Sequence, residues 1–155
     1  MLIELEPILE GVGAGLVNDL AVSQREEGLR ASGYSIANTH AVVTREGKSV
    51  VLSVIGPAYW KEQQYGRGPN RRKGRPSSRF VETIREWIQI KGIPIPLAAA
   101  GAIAYKIVNE GIKVPNPHNK GRVLSRPFDP VKVKVRVRGV LPAYGNQLVK
   151  SLLFD

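Results

Sequence analysis

The sequence predicts an α+β domain, with helices on one face of a mainly antiparallel sheet. Apolar residues recur at helical spacing near the N-terminus and in two central segments. Two β-branched runs flank a glycine-containing turn, and a late segment alternates strictly between valine and cations. The chain has 155 residues and shows neither a long internal repeat nor a linker-like boundary. We therefore predict a single domain over residues 1–155.

The first helix is predicted over residues 2–29. Its apolar residues fall near the 3, 4, 7 spacing that lines one helical face: Leu2, Leu5, Ile8, Leu9, Val12, Leu16 and Leu20. Pro7 lies near the start, where a missing N–H does little harm. Gly11, Gly13 and Gly15 each cost about 1 kcal/mol relative to alanine, so a break in the helix is expected there.

A β-hairpin is predicted next. Residues 41–44 and 49–55 are rich in β-branched side chains, and the turn between them includes Gly47. The dipeptide Gly56-Pro57 ends the second strand. A short strand over residues 34–38 is a further candidate, placed just before the hairpin.

Two consecutive helices are predicted in the centre of the chain. Pro76-Ser77-Ser78 supplies a helix start, and Gly92 supplies the stop. The apolar stripe between them consists of Phe80, Val81, Ile84, Trp87 and Ile88, and Trp87 is expected in the core. The second helix, residues 97–110, follows Pro96 and is rich in alanine, so another backbone can approach it closely.

The C-terminal part is predicted to be extended. Residues 113–130 hold four prolines and indicate an extended arm or long loop without its own core. A strand is predicted over residues 131–140, because valine and cations alternate strictly from residue 131 to residue 138. Residues 147–154 are expected to form a final strand or extension.

Composition excludes several classes of function. Without cysteine, the chain has no disulfide, thiolate metal site or thiol nucleophile. His40 and His118 lie apart from each other, and no cluster of acids suggests catalysis, so we predict neither an enzyme nor a cofactor. The first residues are acidic rather than basic, so no signal peptide is expected. The most apolar run, residues 93–105, is too short to span a bilayer, so no membrane partner is expected.

Residues 66–79 form a predicted basic loop without any acid. Its six cations are Arg67, Arg71, Arg72, Lys73, Arg75 and Arg79. Since like charges repel one another, the loop is expected to stay extended in solvent, ready to grip nucleic acid or an acidic protein surface. A merely solvated loop is the alternative. The aromatic residues Tyr59, Trp60 and Tyr65 flank this loop, and half-buried packing at its base is favoured over base stacking.

The predicted late strand presents four cations on one face. They are Lys132, Lys134, Arg136 and Arg138. Lysine on an edge strand also serves to block aggregation, and that alternative stays open. The net charge of +10 and the two separate cationic features together favour a polyanionic or acidic neighbour.

An ordered set of short motifs runs from residue 59 to residue 112. The motifs are Tyr59-Trp60, Gly66-Arg67-Gly68-Pro69, Pro76, Phe80, Ile84-Arg85-Glu86-Trp87-Ile88, Lys91-Gly92-Ile93, Ala102-Ile103-Ala104-Tyr105-Lys106-Ile107 and Glu110-Gly111-Ile112. This set, which covers about a third of the chain, resembles the tail-completion and tail-terminator proteins at the head–tail junction of tailed bacteriophages.

The resemblance implies a structural virion protein without enzymatic activity. It would form a sixfold or twelvefold ring between the capsid connector and the tail. Its partners would be copies of itself, neighbouring portal, connector or tail proteins, and double-stranded DNA threaded through the ring. It would be located in the virion, and in the host cytoplasm during assembly.

A second function is predicted from the cations alone. A sequence-nonspecific nucleic-acid-binding protein would use the basic loop and the basic strand, and its binding would weaken steeply with salt. A small hydrolase or nuclease has the least support, because the sequence shows no clustered ligands or carboxylates.

Overall fold

The computed structural model describes residues 5–29 and 32–154, with backbone alone for residues 143, 144 and 146–154. The fold is α+β, as predicted. The elements in chain order are α1 (Glu6–Glu26), α2 (Tyr34–Ala37), β1 (His40–Glu46), β2 (Ser49–Ile55), α3 (Trp60–Tyr65), β3 (Gly66–Arg67), α4 (Ser78–Lys91), a 3-10 turn (Leu97–Ala99), α5 (Ala100–Glu110), β4 (Ile112–Lys113) and α6 (Pro130–Phe154).

Helix α1 is continuous from residue 6 to residue 26, so the predicted break is wrong; residues 2–4 of the predicted helix lie outside the described residues. Two glycines are explained by close neighbours. A Cβ on Gly13 would lie 2.6 Å from Ala41 Cβ and 2.8 Å from Leu52 Cδ1, so the hairpin packs directly on the helix backbone. A Cβ on Gly15 would overlap the guanidinium of Arg136. Tertiary contact thus offsets the weak helix propensity of glycine.

The predicted hairpin is confirmed. Strands β1 and β2 pair antiparallel from His40 opposite Ile55 to Glu46 opposite Ser49, and the hairpin packs on α1. The candidate strand over residues 34–38 is wrong, because this stretch forms helix α2. There, the Thr39 hydroxyl donates to the Ser35 carbonyl at 2.6 Å, a local bond that competes with strand pairing.

The two central helices are confirmed. Ser77 Oγ accepts a hydrogen bond from the Phe80 N–H at 3.3 Å, and Gly92 ends α4 in the left-handed conformation with φ of 59°. The buried cluster between α4 and α5 consists of Ile84, Ile88, Ala100 and Ala104. The two alanines are fully buried, which is the close approach that the sequence predicted.

Two details of this helical pair differ from the sequence prediction. Trp87 is 40% exposed, so its expected place in the core is wrong. The α-helical turns begin at Ala100, after a 3-10 turn that follows Pro96. Strands β3 and β4 add a two-residue antiparallel ladder that the sequence did not predict.

Residues 114–129, within the predicted arm of residues 113–130, form a long loop that packs on the body of the protein, so the extended arm is wrong; Lys113 belongs to β4 and Pro130 to α6. Val123 in this segment is fully buried. The Asn119 side-chain amide donates to the Gln63 carbonyl at 2.8 Å, and the Leu124 N–H donates to Gln64 Oε1 at 2.7 Å. These bonds fix the segment to α3.

The predicted C-terminal strands over residues 131–140 and 147–154 are wrong, because both stretches belong to helix α6. Asp129 Oδ1 accepts hydrogen bonds from the N–H groups of Val131, at 3.0 Å, and Lys132, at 3.1 Å. This is a helix N-cap, and Pro130 suits the first helical turn. Pro142 lies inside the helix, where it removes a backbone donor. Local capping therefore overrides the strand-like alternation.

Candidate contact surfaces

The basic loop is fastened to α5 at two points. The Asn70 N–H donates to the Val108 carbonyl at 2.8 Å. Four residues on, the Gly74 N–H donates to Asn109 Oδ1 at 2.9 Å, and Asn109 Nδ2 donates back to the Gly74 carbonyl at 3.0 Å. The Asn109 amide therefore binds both the N–H and the carbonyl of Gly74. The sequence analysis did not predict these attachments of the loop to α5.

Arg67 belongs to the base of this loop rather than to its free surface. It lies in β3 and is partly buried. Its guanidinium donates to Asn70 Oδ1 and lies 5.8 Å from the ring centroid of Phe80. Both contacts serve the fold, because they hold the loop entrance against α4.

The remaining five cations of the basic loop are exposed to solvent: Arg71, Arg72, Lys73, Arg75 and Arg79. Within residues 5–29 and 32–154, none of them lies within ion-pair distance of a carboxylate. Between residues 68 and 79 the loop has no aliphatic or aromatic side chain apart from two prolines. The structure therefore places a purely cationic surface on a fastened segment.

The four cations of the C-terminal segment do not share one face, which corrects the prediction from the strand. Successive helical residues are rotated by about 100°, so Lys132 and Arg136 point to one side and Lys134 and Arg138 to nearly the opposite side. The Arg136 guanidinium donates to the Asp19 carboxylate on α1. Arg136 therefore helps dock α6 on α1.

A small cleft of about 200 Å³ lies beside this ion pair. It is lined by Lys132 together with two acids of α1, Asp19 and Glu26. The Glu26 carboxylate also pairs with Arg126, which precedes α6. The acids of α1 thus lie beside two cations of α6, whereas among the described residues no carboxylate lies within ion-pair distance of the five exposed loop cations.

An open apolar cavity of about 520 Å³ lies between the α4–α5 pair, α3 and the loop that follows β4. Trp87, Ile103 and Ile107 line it from the helical pair, and Ile112 and Val114 line it from the other side. Since Trp87 is 40% exposed, an aromatic side chain stands at an open apolar surface. We refer to this as the Trp87 cavity.

A second open apolar cavity, of about 790 Å³, lies between α1, β2 and α6. Leu9 and Leu16 line it from α1, Leu52 from β2, and Val133 and Val137 from α6. The same helix leaves Val131 at 70% and Val135 at 64% exposure. Helix α6 therefore presents apolar side chains both to the cavity and to solvent.

The buried apolar core of the described residues is small. It consists of ten residues. Several large apolar side chains lie outside it, among them Trp87, Val131 and Val135 at 40%, 70% and 64% exposure. Together with the two open cavities, they leave extensive apolar surface outside the core.

The three aromatic residues beside the loop differ in how much of each side chain is exposed to solvent. Trp60 packs as the sequence favoured, with its Nε1 donating to Ser35 Oγ at 3.0 Å. Tyr59 is 37% exposed and lines the Trp87 cavity, whereas Tyr65 is 69% exposed, against the packing prediction.

One carboxylate outside these surfaces has a shifted pKa. The pKa of Glu6 is lowered from 4.5, first by a hydrogen bond from its own backbone N–H at the start of α1 and then by Arg45. The Arg45 Nε donates to Glu6 Oε1 at 2.8 Å. This pair joins α1 to β1 and stands far from the basic loop in the sequence.

In the described part of the chain, no group of three or more His, Asp or Glu side chains is arranged to hold a metal ion. His40 and His118 are both exposed. None of the helices in the described residues is long and apolar enough to cross a membrane. Comparison of the chain with family models, with curated proteins and with solved structures finds no match.

Sequence reasoning missed Asn109 and Gln64, which hold the two longest loops. Asn109 holds Gly74, which lies 35 residues away. Gln64 Oε1 accepts from Leu124 N–H, 60 residues away, and its Nε2 donates to the Gly121 carbonyl. No local sequence signal marks an amide whose partner is that distant, so only the fold identifies these residues.

Proposed function

We propose that this chain is a structural subunit of an oligomeric ring, of the kind found at the head–tail junction of tailed bacteriophages. The observation that carries the proposal is the pair of open apolar cavities, with the large apolar side chains exposed beside them. Apolar surface of this kind is costly to leave in water, so it favours a protein that buries it against neighbours.

Two separate apolar surfaces suit a ring. Each subunit of a closed ring has two neighbours, and it meets them through two different surfaces. A standard interface buries about 800 Å² per partner. In this proposal, the partners above and below the ring are the portal or connector proteins and the tail proteins.

The Trp87 cavity and the α1–α6 cavity suit the centre of an interface between copies of this chain. Both are lined mainly by aliphatic or aromatic side chains, and interface centres are depleted in charge and enriched in aromatic residues. Trp87 is exposed at the mouth of its cavity, where a second copy would bury it.

The sequence resemblance supports the same proposal. Its ordered motifs fall on consecutive elements from α3 to β4, and the β3–β4 ladder and the α4–α5 packing join these elements. The location proposed is the virion, with the host cytoplasm during assembly. No catalytic role is part of the proposal.

Size-exclusion chromatography coupled to light scattering measures the molar mass in solution and so tests whether the chain forms a ring. The wild-type chain should elute at a multiple of 17.0 kDa, about 102 kDa for a sixfold ring. Trp87→Glu should dissociate it, because the variant places a charge at the apolar contact. Gln89→Glu adds the same charge at an exposed position of α4 and should leave the mass unchanged. A wild-type chain that remains a 17.0 kDa monomer at high concentration would contradict the proposal.

A monomeric, sequence-nonspecific nucleic-acid-binding protein is the second candidate. The observation that favours it is the group of five loop cations that have no carboxylate partner among the described residues. The same light-scattering measurement separates the two candidates, because this function needs no oligomer.

A further inference from the structure

We infer that the basic loop is a preformed contact for the phosphate backbone of double-stranded DNA, and that Asn109 is the residue that positions it. This rests in part on the proposed function, since it names DNA as the partner of one surface of the ring. The contact itself is testable on any oligomeric state, so its failure and the failure of the ring are separate results.

The backbone of the loop has a fixed position. Asn109 binds the N–H and the carbonyl of Gly74 at 2.9 Å and 3.0 Å, and Asn70 is bound to α5 at 2.8 Å. The backbone that carries the three cations between these points, Arg71 to Lys73, is therefore held in place before any partner arrives. Preorganisation reduces the entropy lost on binding, so a clamped loop binds more tightly than a free one.

The exposed loop cations also lack an internal partner among the described residues. Elsewhere in the described chain, arginines at positions 45, 85, 126 and 136 pair with carboxylates. The five exposed loop cations have no such pair among the described residues. Their charge is therefore available to an external anion, and four of the five are arginines, whose planar guanidinium suits phosphate oxygens.

The composition of the loop favours DNA over an acidic protein surface as the partner. Protein interfaces place an apolar or aromatic centre inside a polar rim, whereas protein–DNA interfaces are polar and strongly positive. The loop has no aliphatic or aromatic side chain between residues 68 and 79 except its prolines. Within this stretch no aromatic ring offers a stacking platform for single strands, so a duplex backbone fits the stretch best. The exposed Tyr65 lies outside it, at the end of α3.

The experiment measures the binding of a mixed-sequence 30-bp duplex to the full chain by fluorescence anisotropy, between 50 and 200 mM salt. Each phosphate contact adds about −0.9 to the slope of log affinity against log salt, so five contacts give about −4.5. Affinity should then fall roughly 500-fold over this range.

The loop variant Arg71→Gln/Arg72→Gln/Lys73→Gln removes three charges and should reduce the slope to about −1.8. The matched control Lys132→Gln/Lys134→Gln/Arg138→Gln removes three exposed charges from α6 and should change the slope by less than about 1. Equal effects of the two triple variants would overturn the loop assignment, since they would mean attraction by net charge alone.

Asn109→Ala leaves the charge unchanged and tests the clamp. It should weaken duplex binding about five- to tenfold and speed hydrogen exchange at the Gly74 amide. Lys106→Ala, on the same helix and exposed, controls for changes in α5 and should leave Gly74 exchange unchanged. Unchanged affinity in Asn109→Ala, with faster Gly74 exchange, would overturn the positioning role.

Two further outcomes overturn the proposal as a whole. One is a wild-type chain that forms its ring but does not bind the duplex at 50 mM salt. The other is displacement of the duplex by polyaspartate as effectively as by unlabelled duplex, which would assign the loop to an acidic protein partner instead.

Discussion

In the basic loop, five exposed cations have no carboxylate within ion-pair distance among the described residues, whereas in α6 one cation, Arg136, pairs with Asp19 of α1. Lys132 lines a cleft with Asp19 and Glu26. The sequence presents the two regions as equivalent basic features. The position of α1 makes them different, because its acids lie beside Lys132 and Arg136 of α6.

The two regions also differ in how they are held. The loop has no regular secondary structure between β3 and α4, yet hydrogen bonds to Asn109 and Val108 fix it on α5. Helix α6 is regular, and it docks on α1 through the space left by Gly15. Charge density alone therefore does not tell a contact surface from a structural one; the location of the nearest acids does.

The largest effect is expected in the packing of α5, the helix that holds the basic loop. Ala104→Leu adds bulk at a fully buried position between α4 and α5, so it should lower the free energy of unfolding by about 2–3 kcal/mol. Ala102→Leu, exposed on the same helix, should change it by less than about 0.5 kcal/mol. Urea denaturation measures both. Equal losses would mean that α5 does not pack through Ala104.

The next effect separates Arg136 from the loop cations. Arg136→Gln breaks a partly exposed ion pair and its packing over Gly15, so the free energy of unfolding should fall by about 0.5–1 kcal/mol. Arg72→Gln and Arg138→Gln should have effects near zero. A loss in Arg72→Gln as large as that in Arg136→Gln would show that the loop cations also serve the fold.

A smaller effect tests the helical state of the C-terminal basic segment. Val135 is 64% exposed, and alanine is the better helix former by about 0.5 kcal/mol, so Val135→Ala should stabilise the protein by that amount. Thr44→Ala at an exposed position of β1 should destabilise it by about 0.5 kcal/mol. Thermal unfolding monitors both. Destabilisation by Val135→Ala would favour a strand, rather than a helix, over residues 131–140.

The last prediction concerns Glu6, whose carboxylate pairs with Arg45 within the fold, as that of Asp19 pairs with Arg136. The pKa of Glu6 is lower in the folded state than its usual 4.5, so its contribution to stability is present above that pH. The contribution is lost as the pH falls through the folded pKa. The stability difference between wild type and Glu6→Gln should therefore shrink on acidification from pH 6 to pH 3. A difference that grows would contradict the direction of the shift.

Local signals explain what the sequence predicted correctly. Ser77 and Gly92 mark the start and the end of α4, because a helix cap depends only on residues in the adjacent helical turn. The hairpin turn at Gly47 is equally local. Asp129-Pro130 is a local helix start as well, and recognising it would have opposed the strand prediction for α6. The alternation of valine and cations does not distinguish a strand from a helix, because Val133 and Val137 also lie one helical turn apart on the same face of a helix.

The remaining features of the candidate surfaces depend on distant contacts. The role of Arg136 requires Asp19, 117 residues away, and the fixed loop requires Asn109. The exposure of Trp87 follows from the cavity between α4 and segments on either side of it in the chain. None of these contacts produces a periodic pattern of residues in the sequence.

The central claim is that this chain buries its exposed apolar surfaces in a closed ring. Negative-stain electron microscopy of the purified protein tests it most directly. The account predicts class averages with a central opening and sixfold or twelvefold symmetry. Fields of separate particles of single-subunit size at high protein concentration, with neighbouring virion proteins also present, would contradict it.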